Sequence, residues 1–298
     1  MTVVAFVVFS LLYLTPGDPA AVIAGDAATT EDIQRIRANL GLDEPFVVRF
    51  GGWARDLLHG DLGTSIFTKL PVTRLIAQRV EPTLALTFCT LIVAVLVAVP
   101  LGVVAAAKAG TWIDRLVMAF SVLGFSIPVF VLAYVLILTF SIELDWLPVQ
   151  GYQNLSEGWW PWLSHLILPS LALGTVYMAL IARITRATML DVLSQDYIRT
   201  AHAKGLPPFV VLARHALKNA AVPIMTIVGI GIALLISGAI VTETVFAIPG
   251  IGRLTVDAIL RRDYPIIQGV ILIFSGAYVL INLAVDLSYM LFDPRIRY

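Results

Sequence analysis

Charge is scarce in this chain. Only 13% of its 298 residues are Asp, Glu, Lys or Arg, against about a quarter in a typical soluble domain. Twenty basic residues balance twenty acidic ones, so there is no basic footprint for a nucleic acid. Cys89 is the single cysteine, which excludes an internal disulfide. It lies in an apolar run and suits the role of a small core hydrophobe. The four histidines have no metal-ligand spacing. No lysine is followed by Ser or Thr, which removes the phosphate-binding P-loop and ATP binding by that route. Neither His-Glu-x-x-His nor Gly-x-Ser-x-Gly occurs, so a membrane enzyme has no catalytic constellation to rest on. Internal repeats and low-complexity stretches are missing as well.

What the chain has is apolar residues in long blocks. They make up 59% of it, and mean hydropathy is +0.89. A membrane-spanning helix needs about 20 apolar residues. Five uncharged stretches meet or approach that length: Thr83–Ala107, Leu116–Ile142, Leu166–Ala182, Ala220–Thr242 and Tyr264–Val285. Trp159, Trp160 and Trp162 precede the shortest and are placed to anchor its end at the membrane interface. A sixth candidate, Met1–Leu14, lacks the basic flank of a signal peptide. It reads as the second half of a first span whose start lies outside this sequence, stopped by Leu14-Thr-Pro-Gly-Asp-Pro19. Cys89 apart, these blocks define an all-α membrane protein of six transmembrane helices: 1–14, 83–107, 116–142, 166–187, 220–245 and 264–291.

Lys and Arg in the short loops orient the spans. The Lys108–Arg115 loop holds two, the tail holds Arg295 and Arg297, and the segment after the uncharged stretch Leu166–Ala182 holds Arg183, Arg186, Arg199, Lys204, Arg214 and Lys218. Glu143–His165 has none. Arg253, Arg261 and Arg262 in Gly250–Asp263 are a mild exception. The best solution puts both termini and the 188–219 loop in the cytoplasm. Segment 15–81 then becomes a small helical extracytoplasmic cap. Thr29-Thr-Glu-Asp32 offers a capping start, Ile33, Ile36 and Leu40 recur at helical spacing, and Gly41 fits the C-cap. Phe46–Leu58 is a second helix, His59–Gly63 a turn, and Pro71–Arg79 a short amphipathic helix leading into the second span.

The spans hold almost no ionisable groups. Glu243 is placed just beyond the uncharged stretch Ala220–Thr242, and Asn282 and Asp286 near the end of the last. Ion-coupled transporters place carboxylates or histidines at mid-membrane, so a secondary transporter is the weaker alternative. Glu243 with Ile248-Pro249-Gly250-Ile-Gly252 admits two readings, an outer gate or pore lining, and a helix end with an ordinary turn.

The polar segment Asp191–Pro223 is the most informative. Asp191–Lys204 reads as a helix, Gly205-Leu-Pro-Pro208 as a break, Phe209–Asn219 as a second short helix, and Pro223 as the opening of the fifth span. Two short helices around a Gly-Pro turn form a protrusion sized for a groove on another protein.

Arg199-Thr-Ala-His-Ala-Lys-Gly205, followed by Asn219-Ala-Ala-Val-Pro223, resembles the coupling loop of ABC-importer permeases. The chain is similar to the B-type permeases of the oligopeptide, dipeptide, glutathione and nickel uptake systems. The segments carrying this are Pro16-Gly-Asp-Pro19, Leu40-Gly-Leu-Asp43, Gly60-Asp-Leu-Gly63, Asp196-Tyr197-Ile-Arg199-Thr200, Val241-Thr-Glu-Thr-Val-Phe246, Ile248–Gly252 and Asp293-Pro-Arg-Ile-Arg297. The resemblance implies the type I ABC importer permease fold and a loop that docks on an ATPase through Asp196, Tyr197, Arg199, Thr200, Ala201, Lys204, Gly205, His215, Asn219 and Pro223. Ala201, Gly205 and Pro223 match the general loop pattern, whereas Arg199 stands where that pattern has Glu and Thr200 where it has Ala. It further implies a heterodimer with a second, homologous permease in a bacterial inner membrane, two cytoplasmic ATPase subunits carrying ATP and magnesium, and an extracytoplasmic solute-binding protein. No cofactor is expected on this chain, and lipid is its remaining neighbour.

Overall fold

The structure is a computed structural model that describes residues 1–14, 19–24, 28–39 and 41–292. The 16–18 part of the first motif, Leu40 and the 293–297 tail motif lie outside the described residues. The described residues are almost wholly helical, and their one strand-like feature is an isolated bridge between Thr64 and Pro71. The chain divides into two compact units, Met1–Val80 with Leu254–Ala277, and Glu81–Arg253 with Tyr278–Tyr298.

In the first unit, α1 (Thr2–Leu14) packs against α4 (Phe46–Leu58) through aromatic rings. Phe9 meets Phe46, Phe50 and Trp53 at centroid separations of 5.2–5.5 Å, edge-on or tilted, as ring quadrupoles favour. Between them lie α2 (Pro19–Ala24) and α3 (Thr30–Asn39), and Gly41 follows α3 with φ +60°. Helix α3 begins beside the capping residues that the sequence offers, and α4 has the bounds expected of the second helix. The buried carboxylate of Asp263 accepts from Ser65 Oγ at 2.5 Å and from the Ile66 amide, and so pins the 65–68 loop.

The second unit is built around α8 (Trp159–Leu193), whose middle is largely buried. It packs on α6 (Trp112–Ser126), α7 (Val129–Leu136) and α11 (Leu217–Val245). Small residues set the spacing, as they do where helices associate in lipid. A Cβ on Gly102 of α5 (Val72–Ala107) would lie 2.6 Å from the Thr185 side chain, and one on Gly124 3.1 Å from Ala179. The remaining helices are α9 (Asp196–Ala203), α10 (Pro208–Val210), α12 (Ile251–Arg261) and α13 (Tyr264–Phe292).

Among the described residues four helical runs are long and apolar enough to cross a membrane: Val72–Ala107, Trp159–Leu193, Pro208–Ile232 and Tyr264–Leu287. A fifth exists if the bent pair Trp112–Ser126 and Val129–Glu143 is one span. Helix α1, with 13 residues at 1.5 Å each, covers about 20 Å of a hydrocarbon core about 30 Å thick.

Four elements depart from the sequence reading. Leu116–Ile142 is not one straight helix but bends by 104° after Ser126. Pro128 has no amide hydrogen and pushes Ile127 into an extended conformation, φ −88° and ψ 122°. Pro71–Arg79 is not separate from the second span, because α5 continues through Pro82 and Pro100. Asp191–Lys204 is two helices. Ser194 Oγ and Gln195 Nε2 both donate to the Asp191 carbonyl, at 2.7 and 3.3 Å, and this competition ends α8. Finally, Pro223 does not open a span. It lies inside α11, which follows without a break from a wide π-helical segment, Val211–Ala216.

Candidate functional site

Two groups of residues singled out in the sequence are brought together. The first is the polar protrusion. Helix α9 starts after extended Gln195 and ends at Lys204, and Gly205 then takes φ +76°. Its amide donates to the His202 carbonyl at 2.9 Å, and the Leu206 amide donates to that of Ala201 at 3.3 Å. The left-handed turn is why this position favours glycine. Pro207 is extended and Pro208 supplies the first residue of the returning helix.

Amphipathicity divides the protrusion into an inner and an outer side. Ile198, Ala201, Val211 and Ala216 are buried in the apolar cluster of the second unit. Ala201 is therefore an inward packing residue. Asp196, Tyr197, Arg199, Thr200, Lys204 and Gly205 are exposed. Tyr197 is 42% and Phe209 78% exposed, two apolar side chains among charges. Arg199 pairs with Asp196 at 3.3 Å across one turn, both well solvated, so the pair adds little to stability. His215 is half-buried, and its carbonyl accepts from Asn219 Nδ2 at 2.6 Å. Asn219 and Pro223 are exposed on the continuing helix.

The second group surrounds Glu243. The sequence reading puts this residue just past the uncharged stretch Ala220–Thr242, at the end of the 220–245 span; it occupies the last turn of α11 and has no exposed surface. Thr83 Oγ1 donates to Glu243 Oε1 at 2.7 Å, and the Arg253 amide donates to Oε2 at 2.8 Å. Thr83 also accepts from the Ile251 amide at 2.8 Å. The free amides at the start of α12 thus find their acceptors on Thr83 and Glu243. A Cβ on Gly250 would fall 2.2 Å from the Glu243 carboxyl, and one on Gly252 2.8 Å from the Ile240 backbone. Neither position has room for a Cβ, because the carboxylate lies against Gly250 and the Ile240 backbone against Gly252. Pro249 is exposed at its apex.

Sequence reasoning missed several partners. Thr83 gave no signal, since it is one hydroxyl among many in apolar stretches. Arg186, counted among the loop charges, forms a bidentate pair with Asp114 at 2.5 and 2.7 Å, and the Gly110 amide also donates to Asp114. Arg183 stacks over Phe125 at 5.5 Å. Tyr152 donates to Glu81 and accepts from Trp162 Nε1, and burial, reinforced by the Glu81 carboxylate, holds its phenol well above the usual range. Asn282 bonds its own helix through the Tyr278 carbonyl. No group of three metal-ligating side chains occurs among the described residues.

Comparison with known proteins matches this arrangement to one family. The model of the binding-protein-dependent transport system inner membrane component covers residues 98–298, and its N-terminal companion covers 1–87. The chain is 56% identical over all 298 residues to a probable peptide ABC transporter permease of Sinorhizobium fredii, covering 95% of that protein. It is 44% identical, with the same coverage, to the glutathione transport system permease GsiC of Salmonella typhimurium. Among solved structures, a chain of the MetNI methionine ABC transporter shares the fold, with a TM-score of 0.62 at 19% identity, over 74% of this chain and 97% of that one. This multi-pass membrane chain belongs to the binding-protein-dependent transport system inner-membrane family, and it is a permease subunit of an ABC importer, not an ion-coupled secondary transporter.

Proposed function

We propose that this subunit carries peptides or related small solutes across a bacterial inner membrane, with both termini and the 188–219 loop in the cytoplasm. The names of its relatives, peptide and glutathione permeases, support the cargo class. It pairs with a second, homologous permease, receives solute from an extracytoplasmic binding protein, and works with two ATPase subunits that hold ATP and magnesium. The chain contributes no bond-breaking chemistry of its own.

The single observation that carries the coupling role is the outward side of the protrusion. Phe209 stands 78% exposed, Tyr197, Arg199, Thr200 and Lys204 of the same protrusion are exposed as well, and Ile198, Ala201 and Val211 anchor it in the core. Central aromatic anchors within a polar rim are what protein–protein hot spots look like. ATP-driven closure of the ATPases moves this protrusion. Because α10 and the π-helical segment run unbroken into α11, the motion passes along one continuous rod to Glu243 and the 249–253 turn. We assign that turn to the outer gate, held by Glu243 and Thr83.

Phe209→Glu tests the docking. The side chain is largely solvated, so the fold survives, and co-purification of the ATPases is expected to drop at least about tenfold, the loss of roughly 1.4 kcal/mol of interface energy. Uptake should fall in parallel. Gly205→Trp, which strains the left-handed turn, should do the same. Full uptake with ATPases still bound in both variants would sink the assignment.

A further inference from the structure

The first unit holds a half-open cavity of about 530 Å³ beside α4. That volume lies within the range of small-molecule sites, about 300–1,000 Å³. The coupling and gating roles above make no use of it.

Its walls combine four kinds of chemistry. Phe9 and Trp53, 5.2 Å apart at their centroids, supply an aromatic surface. Arg49 also lines it, its guanidinium held 5.7 Å over the Phe9 ring. Glu44 and Asp56 place two carboxylates on the same lining. Gln268, only 8% exposed, adds an amide from α13. An acyl chain is a poor occupant, because it would set three charged groups against hydrocarbon. A molecule with an amine, a carboxylate and apolar side chains answers every feature. Its amine faces Glu44 and Asp56, its carboxylate faces Arg49, and its side chains lie on the rings.

We propose that this cavity, walled by α1, by residues between 38 and 66 and by the start of α13, is a binding site for a short zwitterionic peptide. The proposal rests on the peptide reading of the cargo. It adds a solute contact made by the first unit of the permease.

Two neighbouring glycines give a clean experiment. Gly52 lines the cavity, and a Cβ there would meet nothing within 4 Å. Gly51 is equally open and does not line it. Both are helical without left-handed backbone, so a side chain is tolerated at either. Gly52→Leu fills the cavity, and Gly51→Leu is its control. The importer, purified with its partner subunits in lipid nanodiscs, is irradiated with a tripeptide bearing a central benzophenone residue, and adducts are located by mass spectrometry. Tripeptide uptake is measured separately in cells.

Labelling is expected within residues 44–56, competed away by trialanine, reduced at least tenfold by Gly52→Leu and unchanged by Gly51→Leu. Labelling elsewhere, labelling that trialanine does not compete, or equal labelling in the two variants overturns the site. Competed cavity labelling without tripeptide uptake upholds the site and overturns the cargo reading. Uptake without such labelling does the reverse.

Discussion

A carboxylate without exposed surface needs donors at both oxygens, and Glu243 has one at each, from Thr83 and the Arg253 amide. Its two readings, gate or plain helix end, converge on one physical role: it fastens the Gly250–Gly252 turn. The tightness can be measured. Gly250→Ala sets a methyl 2.2 Å from the carboxyl and should destabilise the protein, and Glu243→Ala should destabilise it by taking the acceptor from the Arg253 amide and the Thr83 hydroxyl. Removing the carboxylate also makes room for the methyl, so the double variant should be more stable than the sum of the singles by about 1–3 kcal/mol. Thermal unfolding of all four proteins in detergent reads this directly, and additive losses would contradict the contact. Glu243, Gly250 and Gly252 were legible because they are close in the chain and unusual in an apolar context. Thr83 was not, because no local pattern marks a hydroxyl whose partner lies 160 positions away.

At the scale of elements, apolar runs located the long helices well and their interruptions poorly. Five prolines show why. Pro82, Pro100, Pro169 and Pro223 sit inside helices, while Pro128 ends one. Neighbouring helices can re-satisfy freed backbone groups, and that help is tertiary. The Asp114–Arg186 pair is the same kind of feature, because it joins the first turn of α6 to α8 across 72 positions. The positive-inside rule registers Arg186 as a charge on a loop, whereas the structure uses it as a clamp with Asp114 only 6% exposed. Breaking a buried pair from one side costs about 3–5 kcal/mol, and the partial exposure of Arg186 puts this one at the low end. Arg186→Ala should therefore lower the unfolding temperature by several degrees. Arg186→Lys should recover little of it, because an ammonium cannot make both bonds at once. Full recovery with Lys would show that charge alone matters there.

For the molecule as a whole, composition alone revealed a membrane protein, and the order of short motifs revealed its family, since each unit is mostly helices of predictable length. The orientation in the bilayer is a separate matter. It follows from where Lys and Arg fall in short loops, and the three arginines of Gly250–Asp263 count against it. Two exposed positions decide it. Leu58, 87% exposed at the end of α4, belongs to the proposed outer cap, and Phe209, 78% exposed, to the proposed cytoplasmic protrusion. Cys89 is buried, with its thiol lying in a spanning helix, and Cys89→Ser gives a cysteine-free background. In that background Leu58→Cys should react with a membrane-impermeant maleimide on intact spheroplasts. Phe209→Cys should react only after permeabilisation, and less so when the ATPase subunits are co-expressed, because they cover it. Protection at Phe209 by the ATPases links topology to docking in one measurement. Labelling of Phe209→Cys on intact spheroplasts would invert the orientation and remove the protrusion from the ATPase side altogether.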